Sequence, residues 1–437
     1  MLSHLAVAAF FALPLTQAVL TGRPALTPDH DHAPVSKRLP SAWYQPDDHH
    51  VHSLFKRQSA TDGVTYATVG SQEWLNAYPP GLPDTSQMPK EWVDALNAAV
   101  AAGKIPDIPQ SRNTADQDPT YPDGLDPTSP KVCSGTYQCQ IPGDIWDAPE
   151  GYLGCGFDDG PLPTSDKLYQ FLQQNNQHAT HFFIGTNILE NPKEFVMAFQ
   201  TLQDDIAVHT WTHPYMTTLS NLDIVAQFGW TMELIHNSTG GRLPKFWRPP
   251  YGDTDVRVKA IAHEIFGMTT ILWNQDTDDW SLDQKGGTSM DKINTSMTKW
   301  LTGPKNPGLI ILEHELSDQA VAAFMSAYPV MKSNGWNVVS SAQLSGAAPY
   351  QNSPSSNGPV TPAKGVIVGD FTSSTAPSST TVTSTASPSS TSHSTSTKGT
   401  KSSKTGSAVA LQIGVSSSWM LTGIVGAVVL AVVTLFA

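Results

Sequence analysis

Two imidazoles four residues apart, His209 and His213, follow directly on the apolar run Ile206–Val208 in the stretch "IAVHTWTHPYM". Imidazoles at that spacing reach a single metal ion when they share a helical turn or a tight loop. The metalloprotease form of the spacing has Glu after the first His. Thr210 stands there, so chemistry of that type is excluded. A third ligand is required, and a carboxylate is the natural one. Asp158 and Asp159, in "FDDG", offer two. Adjacent residues at a strand end point in different directions, so one can reach the metal while the other stays free as a base. A zinc site with three protein ligands keeps a coordination position open, lowers the pKa of water to about 7 and polarises a substrate oxygen. That is hydrolysis at a carbonyl. Two further motifs fit it. His314, in "LEHE", can protonate a leaving nitrogen, and the peptide N–H of Tyr251, in "RPPYG", can stabilise a tetrahedral oxyanion.

These residues are scattered over more than 150 positions, so the fold must gather them. Five polar motifs, "FDDG", "HTWTH", "RPPYG", "DTDDW" and "LEHE", each stand at or just after a short apolar run. Between the runs lie helical patterns. "DKLYQFLQQNN" puts Leu168, Phe171 and Leu172 on one face, and "NPKEFVMAFQTL" has Asn191 as its expected N-cap with Pro192 at the first helical position. A helix is predicted from Asp253 to Phe266, closed by Gly267, and another from Ser317. "NVVS" (337–340) reads as a last short strand. Strand and helix patterns alternate about seven times from residue 151 to 345. The fold class expected is α/β, a distorted, incomplete (β/α) barrel with parallel strands. In such a barrel the C-terminal strand ends meet at one face, where active sites lie.

The five motifs, in this order, resemble the polysaccharide deacetylases of carbohydrate esterase family 4, and among them the fungal chitin deacetylases. The resemblance covers residues 151–345 and implies a role for each motif. In "FDDG", Asp158 is the base and Asp159 a metal ligand; in "HTWTH", His209 and His213 are the other two ligands. In "RPPY", Arg248 orients the base and the backbone of Tyr251 lines the oxyanion site. In "DTDDW", Asp279 partners the catalytic histidine, Trp280 walls the acetyl pocket and Asp276 is structural. In "LEHE", Leu312 is a second pocket wall and His314 the acid. Two positions depart from the family pattern: Gly156 stands where Thr is usual, and Glu315 where many members have Asp. The implied enzyme is a metal-dependent chitin deacetylase using Zn²⁺ or Co²⁺. It would release acetate from N-acetylglucosamine units and leave chitosan. An acetylxylan esterase and a catalytically inactive chitin-binding wall glycoprotein are the alternatives.

The rest of the chain bears on location. Its 437 residues carry 25 Lys+Arg against 38 Asp+Glu, a net charge of -13, which argues against a nucleic-acid-binding surface. Residues 1–18 read as a secretory signal, with the apolar run "AVAAFFALPL" and Ala18 as cleavage residue. Residues 19–57 form a His-rich leader with dibasic pairs at Lys37-Arg38 and Lys56-Arg57. Residues 58–150 form an N-terminal wrap whose one clear helix is "KEWVDALNAAVAAG". Cys133 and Cys139 can close a disulfide, and Cys155, in an apolar stretch, reads as a buried free thiol. Asn237 and Asn294 head glycosylation sequons. Residues 346–406 read as a disordered Ser/Thr/Pro-rich stalk. Residues 407–437 read as a GPI-attachment signal that is removed, with Gly406 and Ser407 as candidate attachment residues. A membrane-spanning helix is the alternative. The expectation is a secreted monomer held to the outer leaflet of a fungal plasma membrane and to the cell wall by its lipid anchor.

Overall fold

The computed structural model describes residues 60–113 and 118–369. Its core is one curled parallel sheet. The strands are β1 (Tyr152–Asp158), β2 (Thr180–Phe183), β3 (Asp205–Val208), β4 (Phe246–Trp247), β5 (Thr269–Thr270), β6 (Gln275–Asp276), β7 (Leu309–Leu312) and β8 (Asn337–Ser340). They lie in the order β5-β4-β3-β2-β1-β7-β6, with β8 also paired to β1. Every ladder is parallel, for example Phe157 opposite His181 and Phe183 opposite Val208. β2, β3 and β7 are buried along their whole length. Helices cover the outside of the sheet and its inner face curls on itself, so these strands show no polar alternation.

Phe182, Ala207, Phe246, Ile271 and Ile310 fill the inside of the curl. Leu153, Phe157, Phe183 and Val208 join the outer helices in a larger core. The sheet does not close. β5 and β6 are its two ends, and the wrap region bridges from the end of β5 to Gly308, just before β7. The Ile145 N–H donates to Thr270 O and its carbonyl accepts from Leu272 N, while Gly308 N donates to Ala148 O. The expectation of an incomplete parallel barrel is borne out, with the added finding that residues before the barrel seal its seam.

The outer helices follow the sequence patterns closely. They span Ser165–Gln174, Asn221–Ser238, Val256–Phe266, Met290–Leu301 and Asp318–Ser333. Ser220, Asp255, Ser289 and Ser317 cap their helices with side-chain oxygens that accept first-turn N–H groups. Asn191 does not behave as expected. It sits at the N-cap position of Pro192–Val196, but its amide donates to Pro161 O and Asn187 O instead. The chain turns back there onto the end of β1, and Asn191 is spent on that tie.

The wrap region packs as part of the same body. Trp92 of the helix Lys90–Ala101 lies flat against Gly229, where a Cβ would overlap its ring, and the Trp74 indole donates to Ser238 Oγ. Cys133 and Cys139 are disulfide-bonded and Cys155 is a buried free thiol. The chain does not leave the domain at residue 345. Tyr350 is buried, its hydroxyl accepts from Ile206 N, and Gln351 N donates to Leu243 O. Buried Arg242 ties both ends together, donating to Ala60 O and Thr239 O on one side and to Ser355 O and Gly358 O on the other. The stalk expected from residue 346 therefore begins with a packed segment that continues to residue 369. Among the described residues no helix is long and apolar enough to cross a membrane. The signal, the leader to residue 57, the rest of the stalk, Gly406, Ser407 and the tail lie outside the described residues.

Candidate active site

All five motifs meet at the C-terminal edge of the sheet, around a cleft of about 690 Å³. Asp158 is the last residue of β1, and its main chain is held between Glu313 O and Glu315 N in the segment that follows β7. Asp158 and Asp159 then diverge because Asp159 takes a positive φ of 70°. The Asp158 carboxylate turns inward and is buried. Arg248 Nη1 donates to its Oδ1 at 2.6 Å, and Arg248 itself is fully buried, with its guanidinium over Phe182 and Nε donating to Ile271 O. A buried carboxylate needs such a partner to stay charged.

Asp159 turns towards the histidines. Its Oδ1 lies 3.3 Å from His209 Nε2 and 3.2 Å from His213 Nε2, and no hydrogen bond satisfies that buried oxygen. His209 Nδ1 lies 2.7 Å from Arg248 O, which can only accept, so Nδ1 carries the proton and Nε2 faces Asp159 with its lone pair. The three ligand atoms lie within 4.8 Å of one another. An unpartnered buried oxygen facing two imidazole nitrogens fits a divalent cation of the zinc type, for which one carboxylate and two imidazoles are an ordinary donor set.

The loop between the histidines explains their shared aim. His209 continues β3, its N–H donating to Phe183 O. Thr210 and His213 both take left-handed backbone (φ 66° and 58°), which folds the loop back on itself. Thr210 Oγ1 accepts from His213 N, and Gln227 Oε1 accepts from both Trp211 N and Thr212 N. Trp211 is the plug that holds the loop down. It is fully buried, its indole donates to Gly81 O, and its ring lies on Gly185 where a Cβ would overlap it. Left-handed backbone is costly for non-glycine residues, and most of all for the β-branched Thr210. Asp159, Thr210, His213, Tyr251 and Asp278 all adopt it around this one cleft.

On the far wall, His314 Nδ1 is 2.6 Å from Asp279 Oδ1, and the His314 peptide N–H donates to the other Asp279 oxygen. That leaves His314 Nε2 for the cleft. Burial pushes its imidazole pKa down, but Asp279, aided by Asp159 and Asp158, outweighs this and lifts it to about 10. Trp280 and Leu312 line the cleft, Trp280 about 43% exposed and Leu312 buried. Tyr251 (φ 58°) packs edge-on against His213 with its own ring half exposed. Asp276 sits on the rim, its carboxylate accepting from Asp278 N.

Every motif residue singled out in the sequence reaches this cleft or the shell that braces it. Sequence reasoning missed Tyr215, whose ring stacks on Tyr251 at 4.0 Å, and Asp118, Trp273 and Gln284, which also line the cleft. Tyr215 stands two residues after His213 and could have been noticed. Asp118 lies in a Pro- and Asp-rich loop that carries no signal. The two sequons differ in setting. Asn294 is exposed on its helix. Asn237 is half-buried, donates to Tyr78 OH and is followed by buried Ser238 and Thr239.

A carboxylate braced by a guanidinium, an imidazole backed by a carboxylate and an Asp–His–His cluster whose donor atoms suit a cation, all facing one cleft of a parallel barrel, define a deacetylase-type hydrolase. Residues 147–271 match the family model described as polysaccharide deacetylase. Chitin deacetylase 3 of Cryptococcus neoformans is 40% identical over 326 residues, which is 73% of this chain and 76% of that protein. Chitin deacetylase of Amylomyces rouxii is 37% identical over 198 residues, 44% of each chain. The solved chitin deacetylase of Colletotrichum lindemuthianum is 26% identical, with a TM-score of 0.43, covering 48% of this chain and 97% of that one. The chain belongs to the polysaccharide deacetylase family.

Proposed function

We propose that this protein removes the N-acetyl groups of N-acetylglucosamine units in chitin, giving chitosan and acetate. The observation that carries the reading is the placing of an Arg-braced carboxylate and an Asp-backed imidazole on either side of the Asp159–His209–His213 cluster. The relatives named chitin deacetylase support the choice of polymer.

A divalent cation held by Asp159, His209 and His213 would supply Lewis-acid polarisation of the acetyl oxygen and make water nucleophilic near neutral pH. The chain's own groups do the rest. Asp158, braced by Arg248, takes a proton from the water that attacks the acetyl carbon. The Tyr251 peptide N–H donates to the oxygen that becomes negative. As the C–N bond breaks, His314 gives its Nε2 proton to the sugar nitrogen, which leaves as the amine, and the acetyl group departs as acetate. Asp279 fixes the His314 tautomer and steadies its charge. Leu312 and Trp280 form an apolar wall for the acetyl methyl.

One chain contains the whole constellation, which favours action as a monomer. The secretory signal, the Ser/Thr-rich stalk and the anchor signal favour the outer leaflet of the plasma membrane and the cell wall, where such a polymer is laid down. The test is acetate release from chitin hexamer by the purified protein, with chelation and then Zn²⁺ or Co²⁺ addition, beside acetylated xylan. Activity on chitin lost on chelation and restored by metal is expected. Full activity without metal, or acetate from xylan alone, overturns the reading.

A further inference from the structure

Beneath the turn that carries both aspartates lies a buried charged network that the hydrolytic scheme does not use. Glu315 is fully buried, and its N–H donates to Asp158 O. Its carboxyl lies directly against Gly160, where a Cβ would overlap it. Glu315 Oε1 is 2.8 Å from His181 Nδ1 in β2. His181 Nε2 is 3.0 Å from Asp204 Oδ2, and Asp204 Oδ1 in turn accepts from Ala179 N and faces His178 Nδ1. Both nitrogens of the His181 ring face carboxylates, so the ring is an imidazolium. Burial alone would lower its pKa, but Glu315 and Asp204 raise it to about 10. The cation stacks between Phe157 and Phe183, with Tyr169 edge-on.

A fully buried ion triad adds little net stability over apolar packing, because desolvation offsets the attraction. Its location is the informative feature. Glu315 touches the Asp158–Asp159–Gly160 turn from below, on the side away from the cleft. From the β2 side the turn is held by Asn187 Nδ2 to Asp159 O (2.8 Å) and by Ile184 N to Gly160 O (3.0 Å). Asp159 is in the left-handed region, a conformation that persists only when its surroundings over-determine it. We propose that Glu315, clamped by His181 and Asp204, is a positioning residue that fixes this turn and so sets how the Asp159 carboxylate meets His209 and His213. The inference rests on the metal reading of that cluster.

Glu315→Asp withdraws the carboxyl by one methylene, away from both Gly160 and His181. Zinc binding to the apoprotein by calorimetry, kcat and KM on chitin hexamer, and thermal melting are read together. Zinc affinity should fall about 10–100-fold, as for other partners that orient a ligand. kcat should fall with it, while KM changes little because the cleft walls are untouched. Replacing both ions, Glu315→Gln with His181→Gln, should recover much of the melting temperature lost by either single variant without restoring zinc affinity. Should Glu315→Asp fail to fold, this double variant carries the test. Zinc affinity and kcat unchanged in Glu315→Asp, or restored together with the melting temperature in the double variant, would overturn this inference alone. A wild-type protein that binds no zinc would overturn the reading of the site as well.

Discussion

Changing Asp158 to Asn replaces one oxygen of a buried carboxylate by an amide nitrogen and leaves the backbone alone. Asp158 Oδ1 accepts from Arg248 Nη1 at 2.6 Å, and an amide oxygen in the same place still accepts that bond. The charge disappears, and with it the ability to take a proton. Loss of a positioned general base costs about 10²–10⁴ in rate, or about 3–5 kcal/mol of transition-state stabilisation. Breaking a buried ion pair by removing one partner costs about 3–5 kcal/mol of stability, and the retained hydrogen bond keeps this variant towards the lower end. Asp159, His209 and His213 are untouched, so metal content should stay near one ion per chain. The partner variant Asp159→Asn should do the opposite to binding. Its Oδ1 faces both imidazole nitrogens, and an amide is a much poorer ligand than a carboxylate. The assay is elemental analysis for zinc beside acetate release from chitin hexamer, with a melting curve for each variant. If Asp158→Asn loses its metal while Asp159→Asn keeps it, the two roles are reversed. If Asp158→Asn keeps wild-type turnover, no base acts at that position.

Gly185→Ala should destabilise the fold by about 1–3 kcal/mol in urea titration, because the new methyl meets the buried Trp211 ring; an unchanged midpoint would mean that the indole is not seated there. His181 gives a stability dependence on pH. Its folded pKa is raised from 6.5 to about 10, so its contribution is complete below pH 6.5 and is lost as pH rises through about 10. Wild type should therefore lose more stability than His181→Gln between those two pH values, and parallel curves would contradict this. Glycopeptide mass spectrometry should find Asn294 occupied and Asn237 bare, since the latter is tied to Tyr78 and followed by two buried residues; full occupancy of Asn237 would count against the packing described for the wrap region.

The chemistry is readable in the sequence because it depends on residue types at strand ends, and strand ends are visible there. Apolar runs such as "THFF" and "LIIL" are strands buried on both faces, and the polar motif after each one marks the edge of the sheet. His209, His213, Asp158, Asp159 and His314 are therefore legible as candidates. So is the alternation that makes a parallel barrel.

Other features depend on backbone angle and distant contact, which no local pattern encodes. Which aspartate turns inward is decided by the φ of Asp159 and by Arg248, 90 positions away in sequence. The aim of the two histidines is decided by Thr210, Trp211 and Gln227 acting together. The wrap region reads as loops because its task, sealing a seam between β5 and β7 through Ile145 and Ala148, uses single bridges rather than a strand of its own. The packed segment 346–369 reads as Ser- and Pro-rich linker because a few anchors, Tyr350 and Val366 among them, hold it. His181 reads as one polar residue in an apolar strand. Only the fold sets it between Glu315 and Asp204, where an isolated charge could not survive and a paired one can. Sequence alone determined the candidate reacting groups and the kind of barrel that carries them. Tertiary structure decided their protonation, their direction and their braces, because each of these is set by groups that meet only when the chain is folded.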